Sequence, residues 1–537
     1  MHSWFDSWAL TLVVFLPAVG ALIIMLLPRK EEQAIKTVAL LTTLATFGVM
    51  IAILARFNYD KTSQLQFDVV KPWIDAINAH YHVAVDGISL PMLALSSFIT
   101  VLCVIYSWNH FPEPHNPKAF LALVLILEVG MNGTFVAQDL ILFFVFFEIV
   151  LLPMFFMIGV WGGPNREYAS IKFFLFTLFG SALMLLSFLA LYFEVDTPVG
   201  HTFDMVILSH AAGAGLVHST QLLIFAGLFL GFAIKVPMFP FHTWLPDAHT
   251  EAPTVGSVLL AAILLKLGTY GFIRIALPML PDAAKSWAPW IGLLAVIGII
   301  YGALGCLAQK DMKRLIAFSS VAHMGFVMLG IATLTTFGIN AAIFGMVAHG
   351  LITGMLFFIA GSVQHNYGTR EMSRLGGLLK QAPHMGWILG FCAMASLGLP
   401  GLAGFWGEFP AVLSTFNPGG DLSQPLFRTY MVIAAIGTVL AAGYLLWMLQ
   451  KVAFGVPKPE FANAHVHDVS SFEWTAWVPI LLLIVAFGVF PNLIFKVTDD
   501  AVTCQTAKPF YTSSTGQPTT KCPVSPVAVE TSVKSGG

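Results

Sequence analysis

Two apolar runs carry ionisable residues where a charge is costly. Lys235 lies in the run 224–242 beside Pro237 and Pro240, and Glu148 lies in the run 143–153. A charge at mid-membrane depth costs about 2.5–3.5 kcal/mol even on lenient insertion scales, so such residues line a polar pathway or pair with an opposite charge. The prolines free backbone carbonyls and break the helix, which is tolerated at that depth only where the gap faces protein or a water-filled cavity. A structural ion pair between Glu148 and Lys235 is the plain alternative. Further buried charges argue against it, namely Lys266 in 257–269, His323 in 318–325, His349 in 346–351 and Glu408 in 404–409.

These types suit proton transfer. A desolvated lysine with no permanent carboxylate partner can release its proton, whereas one held by Glu148 stays charged. Pairing and unpairing of Lys235 would therefore change the field felt by Lys266. His323 and His349 titrate near neutrality without help. Either alone reads as a satisfied core histidine; together with Ser319, Ser320 and two lysines they read as stations of a relay. Glu408 would end the path on one side. His242 and His249 lie close to a span end, and Glu128, facing a neighbouring subunit or neutral, is left outside the core site.

The elements that must position these groups are membrane spans. Of 537 residues, 57% are hydrophobic and 10% charged, against roughly 25% charged in soluble domains. Apolar runs recur from Trp8 to Phe495, enough for roughly fourteen spans of a ~30 Å hydrocarbon core. The expected fold class is an all-α polytopic membrane protein of about 14 transmembrane helices, containing two inverted five-helix repeats, each with a broken helix. The expected organisation is a three-helix segment over 1–117, a first repeat over 118–280, a second over 281–455, a final span within 456–498 and a polar, disordered tail over 499–537. The second break is expected at Gly398 to Gly401, with Pro400, and at Gly404. Lysine and arginine are denser in the odd-numbered loops, among them Lys310, Lys313 and Arg314, than in the even ones, where Arg274 is counted; this predicts both termini outside.

Cys103, Cys306 and Cys392 fall in spans without ligand spacing, so no metal site is expected. Cys504 and Cys522 lie in the tail on the predicted oxidising side, where a disulfide and two free thiols are both open readings.

The stretch from Lys235-Val-Pro to Trp244-Leu-Pro-Asp-Ala-His249, followed by Glu251-Ala-Pro253, resembles the antiporter-like membrane subunits of respiratory complex I, relatives of the Mrp-type cation/proton antiporter subunits. The likeness extends through Phe147-Glu-Ile, Leu265-Lys-Leu-Gly268, Phe318 to Gly325 and Gly398 to Gly401, and covers most of 80–455. Glu408 is similar to the M-type branch, since the L-type, N-type and Mrp counterparts typically have lysine there. The resemblance implies that Glu148 and Lys235 form a modulating pair, that Lys266, His323 and His349 form the central relay, and that Glu408 is the terminal station. It also implies a bacterial inner (plasma) membrane, L-type and N-type subunits as neighbours, and no nucleic-acid partner. No cofactor is implied in this chain; FMN, iron–sulfur clusters and quinone belong to partner subunits.

The runner-up function is Na⁺/H⁺ exchange in an Mrp-like assembly. A self-sufficient carrier of an organic solute would suit the broken helices, but the buried lysines and histidines favour protons. A passive scaffold leaves the buried charges unexplained.

Overall fold

Inside hydrocarbon, a backbone must satisfy its own N–H and C=O groups, and helices do so within one segment. The computed structural model describes residues 4–462, 466–511 and Cys522. Among these, 13 helices are long and apolar enough to cross a membrane. A further passage is split into Pro383–Ser396 and Ala403–Ser414, each too short to span alone. The chain is an all-α polytopic membrane protein.

Burial sorts the helices. Every residue in the apolar windows of Thr254–Met279 and Thr336–Tyr367 is buried, and 94% of that of Met312–Ala332, against 33% for Glu32–Arg56 and for Ser471–Val489. Those three innermost helices carry Lys266, His349 and His323. The outer helices shield them from lipid.

Both breaks fall where the sequence places them. His218–Lys235 ends at the lysine, and the chain continues through a 3₁₀ turn, Phe241–Thr243, into Trp244–Glu251. At the second break Gly398 and Gly401 adopt φ of 75° and 92°, a left-handed region that glycine enters without a Cβ clash.

The polar segment between the second and third spans adds a hairpin, Gln66–Ile74 antiparallel to Ala79–Val85. Its His82 is buried, with Nδ1 2.7 Å from Asp204 and Nε2 3.0 Å from Asp68. Burial disfavours the imidazolium, but the two carboxylates outweigh it and raise the pKa to about 9.

Two expectations need correction, the disorder of the tail from 499 and the loop placement of Arg274 and Lys313, and the open question of the two tail cysteines is answered. The last span ends at Val489, and Asn492–Val502 is a separate helix; Pro491 starts it, and Ile494, Val497, Thr498, Ala501 and Val502 bury one face of it. The expected tail is therefore ordered through 511, where Gly420 N donates to Phe510 O, because that apolar face has a surface to cover. The expectation of disorder for 512–521 and 523–537 lies outside the described residues. Cys504 and Cys522 form a disulfide. Arg274 and Lys313, counted as loop cations, are 7% and 1% exposed; Arg274 is drawn in by Asp86 and Lys313 by the carbonyl of Ala252.

Candidate functional site

Lys266 lies between two π-helical segments, Leu260–Leu264 and Phe272–Ala276. Such bulges displace carbonyls from the regular ladder and are frequent at functional sites. Lys266 Nζ donates to the displaced Ala261 O and lies 2.7 Å from His349 Nδ1. The ammonium is thereby solvated by a carbonyl and an imidazole, with no carboxylate bonded to it.

His349 faces His323 across 5.9 Å between ring centroids. Between them lies a cavity of about 20 Å³, lined by His323, His349, Thr353, Ser396 and Glu408 among others. That is room for about one water molecule. His349 Nε2 and Glu408 Oε2, both without hydrogen-bond partners, belong to residues lining it. On its far side His323 Nδ1 lies 2.5 Å from Glu408 Oε1. His323 Nε2 lies 3.0 Å from Ser396 Oγ and 3.1 Å from Tyr444 OH. Hydroxyls both donate and accept, so they satisfy either tautomer of His323.

The first break is arranged differently. Lys235 Nζ makes no hydrogen bond, nor does Glu148 Oε1. The ammonium sits 4.7 Å from the centroid of the Phe147 ring, and it interacts with Glu148 through space. No hydrogen bond joins the pair that the sequence suggests. Gly268 lets the Lys266 helix approach this point: a Cβ there would lie 2.7 Å from Phe232 O and 3.1 Å from Lys235 Cβ.

Of the remaining candidates, His249 is buried and stacked on Phe357 at 4.6 Å with neither ring nitrogen bonded. His242 packs against Phe239 and Tyr301 within the first break. Glu128 is wholly buried on Pro117–Val136, and none of the hydrogen bonds above reaches it. Ser319 donates to Ile316 O at 2.8 Å. Sequence reading passed over Ser396 and Tyr444, because a serine at a helix end and a tyrosine in an apolar span look like ordinary packing.

The arrangement permits proton exchange. A proton on Lys266 can pass to His349 Nδ1, leaving the neutral amine; the imidazolium so formed can release its Nε2 proton into the cavity, where Glu408 and His323 can accept it.

Known proteins share this plan. The sequence model of the family described as NADH:quinone oxidoreductase/Mrp antiporter, TM, matches residues 137–437, and that of NADH-ubiquinone oxidoreductase chain 4, amino terminus, matches residues 11–134. The chain is 40% identical over 494 residues to NADH-quinone oxidoreductase subunit M of Rickettsia bellii, covering 91% of this chain and 96% of that protein. It is 39% identical over 503 residues to subunit M of Rhodobacter capsulatus, covering 92% and 95%. Among solved structures, a chain of respiratory complex I from Thermus thermophilus aligns with a TM-score of 0.82 at 28% identity, over 94% of this chain and all of that one. A chain of the Mrp complex from Dietzia shares the fold, with a TM-score of 0.79 at 19% identity over 94% and 99%. With the buried file of lysine, imidazole and carboxylate in place, these matches establish that the chain belongs to the NADH:quinone oxidoreductase/Mrp antiporter family of membrane subunits, alongside the M-type (chain 4) subunits.

Proposed function

We propose that the chain is a proton-translocating membrane-arm subunit of an NADH:quinone oxidoreductase, moving protons through Lys266, His349, His323 and Glu408 while quinone is reduced elsewhere in the complex. The carrying observation is the file itself: a wholly buried ammonium bonded to an imidazole that borders a water-sized cavity shared with a second imidazole and a carboxylate. Glu148 and Lys235 are the modulating pair, acting on Lys266 by electrostatics. L-type and N-type subunits are the neighbours through which conformational change arrives. An outside position of both termini, the two inverted units and a bacterial inner (plasma) membrane complete the reading, supported by the distribution of basic residues and the positions of the two breaks.

Na⁺/H⁺ exchange is less well served. Hard cations prefer several oxygen ligands and keep part of their hydration, whereas this cavity of about 20 Å³ offers one carboxylate and the hydroxyls of Thr353 and Ser396 beside two imidazoles.

The test is NADH-driven proton pumping in membrane vesicles carrying Lys266→Ala, beside NADH oxidation with an artificial acceptor that bypasses quinone. Pumping and quinone reduction should fall together with the bypass activity normal. Unchanged pumping in an assembled complex would remove Lys266 from the path.

A further inference from the structure

A second cavity, of about 810 Å³, opens on the face that carries the hairpin, lined in part by Asp68, His82, Gln138, Arg274, Gln505 and Lys508. It lies at the end of the helix that bears Lys266. Lys266, Tyr270 and Arg274 follow at successive i, i+4 steps on one helix face, and about 12 Å of helix separates the first from the last. Such a row, ending in a cavity large enough for many waters, would offer a proton on Lys266 a second way out.

The row is closed by its chemistry. Tyr270 OH donates to Phe135 O at 2.9 Å and accepts from Arg274 Nε at 3.2 Å. Arg274 Nη2 lies 2.6 Å from each oxygen of Asp86, itself fully buried, and Nη1 donates to Gln505 Oε1. Gln505 in turn donates to Ser63 O at 2.7 Å, tying the C-terminal segment to the start of the hairpin region. A guanidinium has five donors, no acceptor and no proton to give up in a protein. A proton file needs every station to accept on one side and donate on the other, and Arg274 cannot accept.

We propose that Arg274, held by Asp86 and Gln505, is a plug that separates Lys266 from the hairpin-face cavity, so that a proton on Lys266 leaves through His349 rather than along its own helix. This rests on the reading of Lys266 as a proton carrier. Arg274 is a positioning residue here, acting on the route and not on the reacting atoms.

The test uses the intact complex in proteoliposomes. A pH gradient is imposed without NADH and its decay followed, for wild type and for Arg274→Gln combined with Asp86→Asn. Both partners are neutralised because removing one alone strands a buried charge. The plug predicts decay several-fold faster than wild type, NADH oxidation no longer stimulated by an uncoupler, and a return to wild-type decay when Lys266→Ala is added. Wild-type tightness in the double variant, or fast decay that survives Lys266→Ala, would overturn it. If the double variant does not assemble, Arg274→His with Asp86 kept decides, since an imidazole can both accept and donate and its charged form still pairs with Asp86: faster, Lys266-dependent decay supports the plug and wild-type decay overturns it. Failure of the carrier reading shows separately, as normal pumping in Lys266→Ala alone.

Discussion

The two broken helices hold acid–base pairs of opposite order and opposite state. At the first, the base Lys235 ends the helix before the break and the carboxylate Glu148 sits on Leu140–Trp161. At the second, the carboxylate Glu408 follows the break and the base His323 sits on Met312–Ala332. The first pair is open, its ammonium resting on the Phe147 ring without a hydrogen bond. The second is closed at 2.5 Å, with the other face of the imidazole held by two hydroxyls. A cation–π contact is worth about 0.5–2 kcal/mol, so Lys235 can leave its position at small cost and respond to an outside field. A bonded carboxylate–imidazole pair instead holds a proton in place. Under the proposed function, the difference suits sensing at the first break and storage at the second.

The largest expected effect separates those roles. Glu408→Gln removes the acceptor from the closed pair and should lower NADH-driven pumping on the order of 10²-fold, the lower range for loss of a positioned proton-transfer group. Glu148→Gln leaves the Lys266–His349 contact intact and should lower it less. Pumping rates of the two variants side by side measure this, and an equal or reversed ranking would break the comparison.

Gly268→Ala acts on the packing between the first break and the Lys266 helix. The added Cβ would meet Phe232 O and Val236 Cγ2, each at 2.7 Å, and overpacking of this kind costs about 1–3 kcal/mol. The thermal midpoint of the assembled complex should fall. An unchanged midpoint would mean that the two helices can separate freely there.

The smallest effect uses His82 as a reference, since it is also an imidazole beside carboxylates but lies in the hairpin outside the spans. Its folded pKa, about 9, stands above the ordinary 6.5. The stabilisation it supplies is therefore fully present below about pH 6.5 and lost as pH rises through about 9. The stability gap between wild type and His82→Gln should shrink from pH 6 to pH 10; a gap constant with pH would show that His82 stays neutral between Asp204 and Asp68.

What the sequence made legible follows from how each residue contrasts with its neighbours. Lys235, Lys266, Glu148 and Glu408 stand out because each interrupts an apolar run, and Pro237, Pro240, Gly398 and Gly401 mark the breaks by backbone chemistry alone. Arg274 was misplaced because it sits near the end of its span and its partner Asp86 is 188 residues away. Lys313 was misread because Lys310 and Arg314 beside it are ordinary loop cations. Tyr444 gave no signal, since only its distance to His323 distinguishes it from a core tyrosine. The openness of the Glu148–Lys235 pair was also out of reach, because spacing along a chain does not report whether two side chains touch.

His349 is the link between the two regions, bonded to Lys266 on one side and lining the Glu408 cavity on the other. The most direct measurement is therefore NADH-driven proton pumping by the assembled complex carrying His349→Phe, with the quinone-independent NADH activity as the control for assembly. The account predicts that pumping is lost while the control activity is kept. Full pumping with His349 replaced would contradict it, because no proton could then be passing from Lys266 to Glu408 by this route.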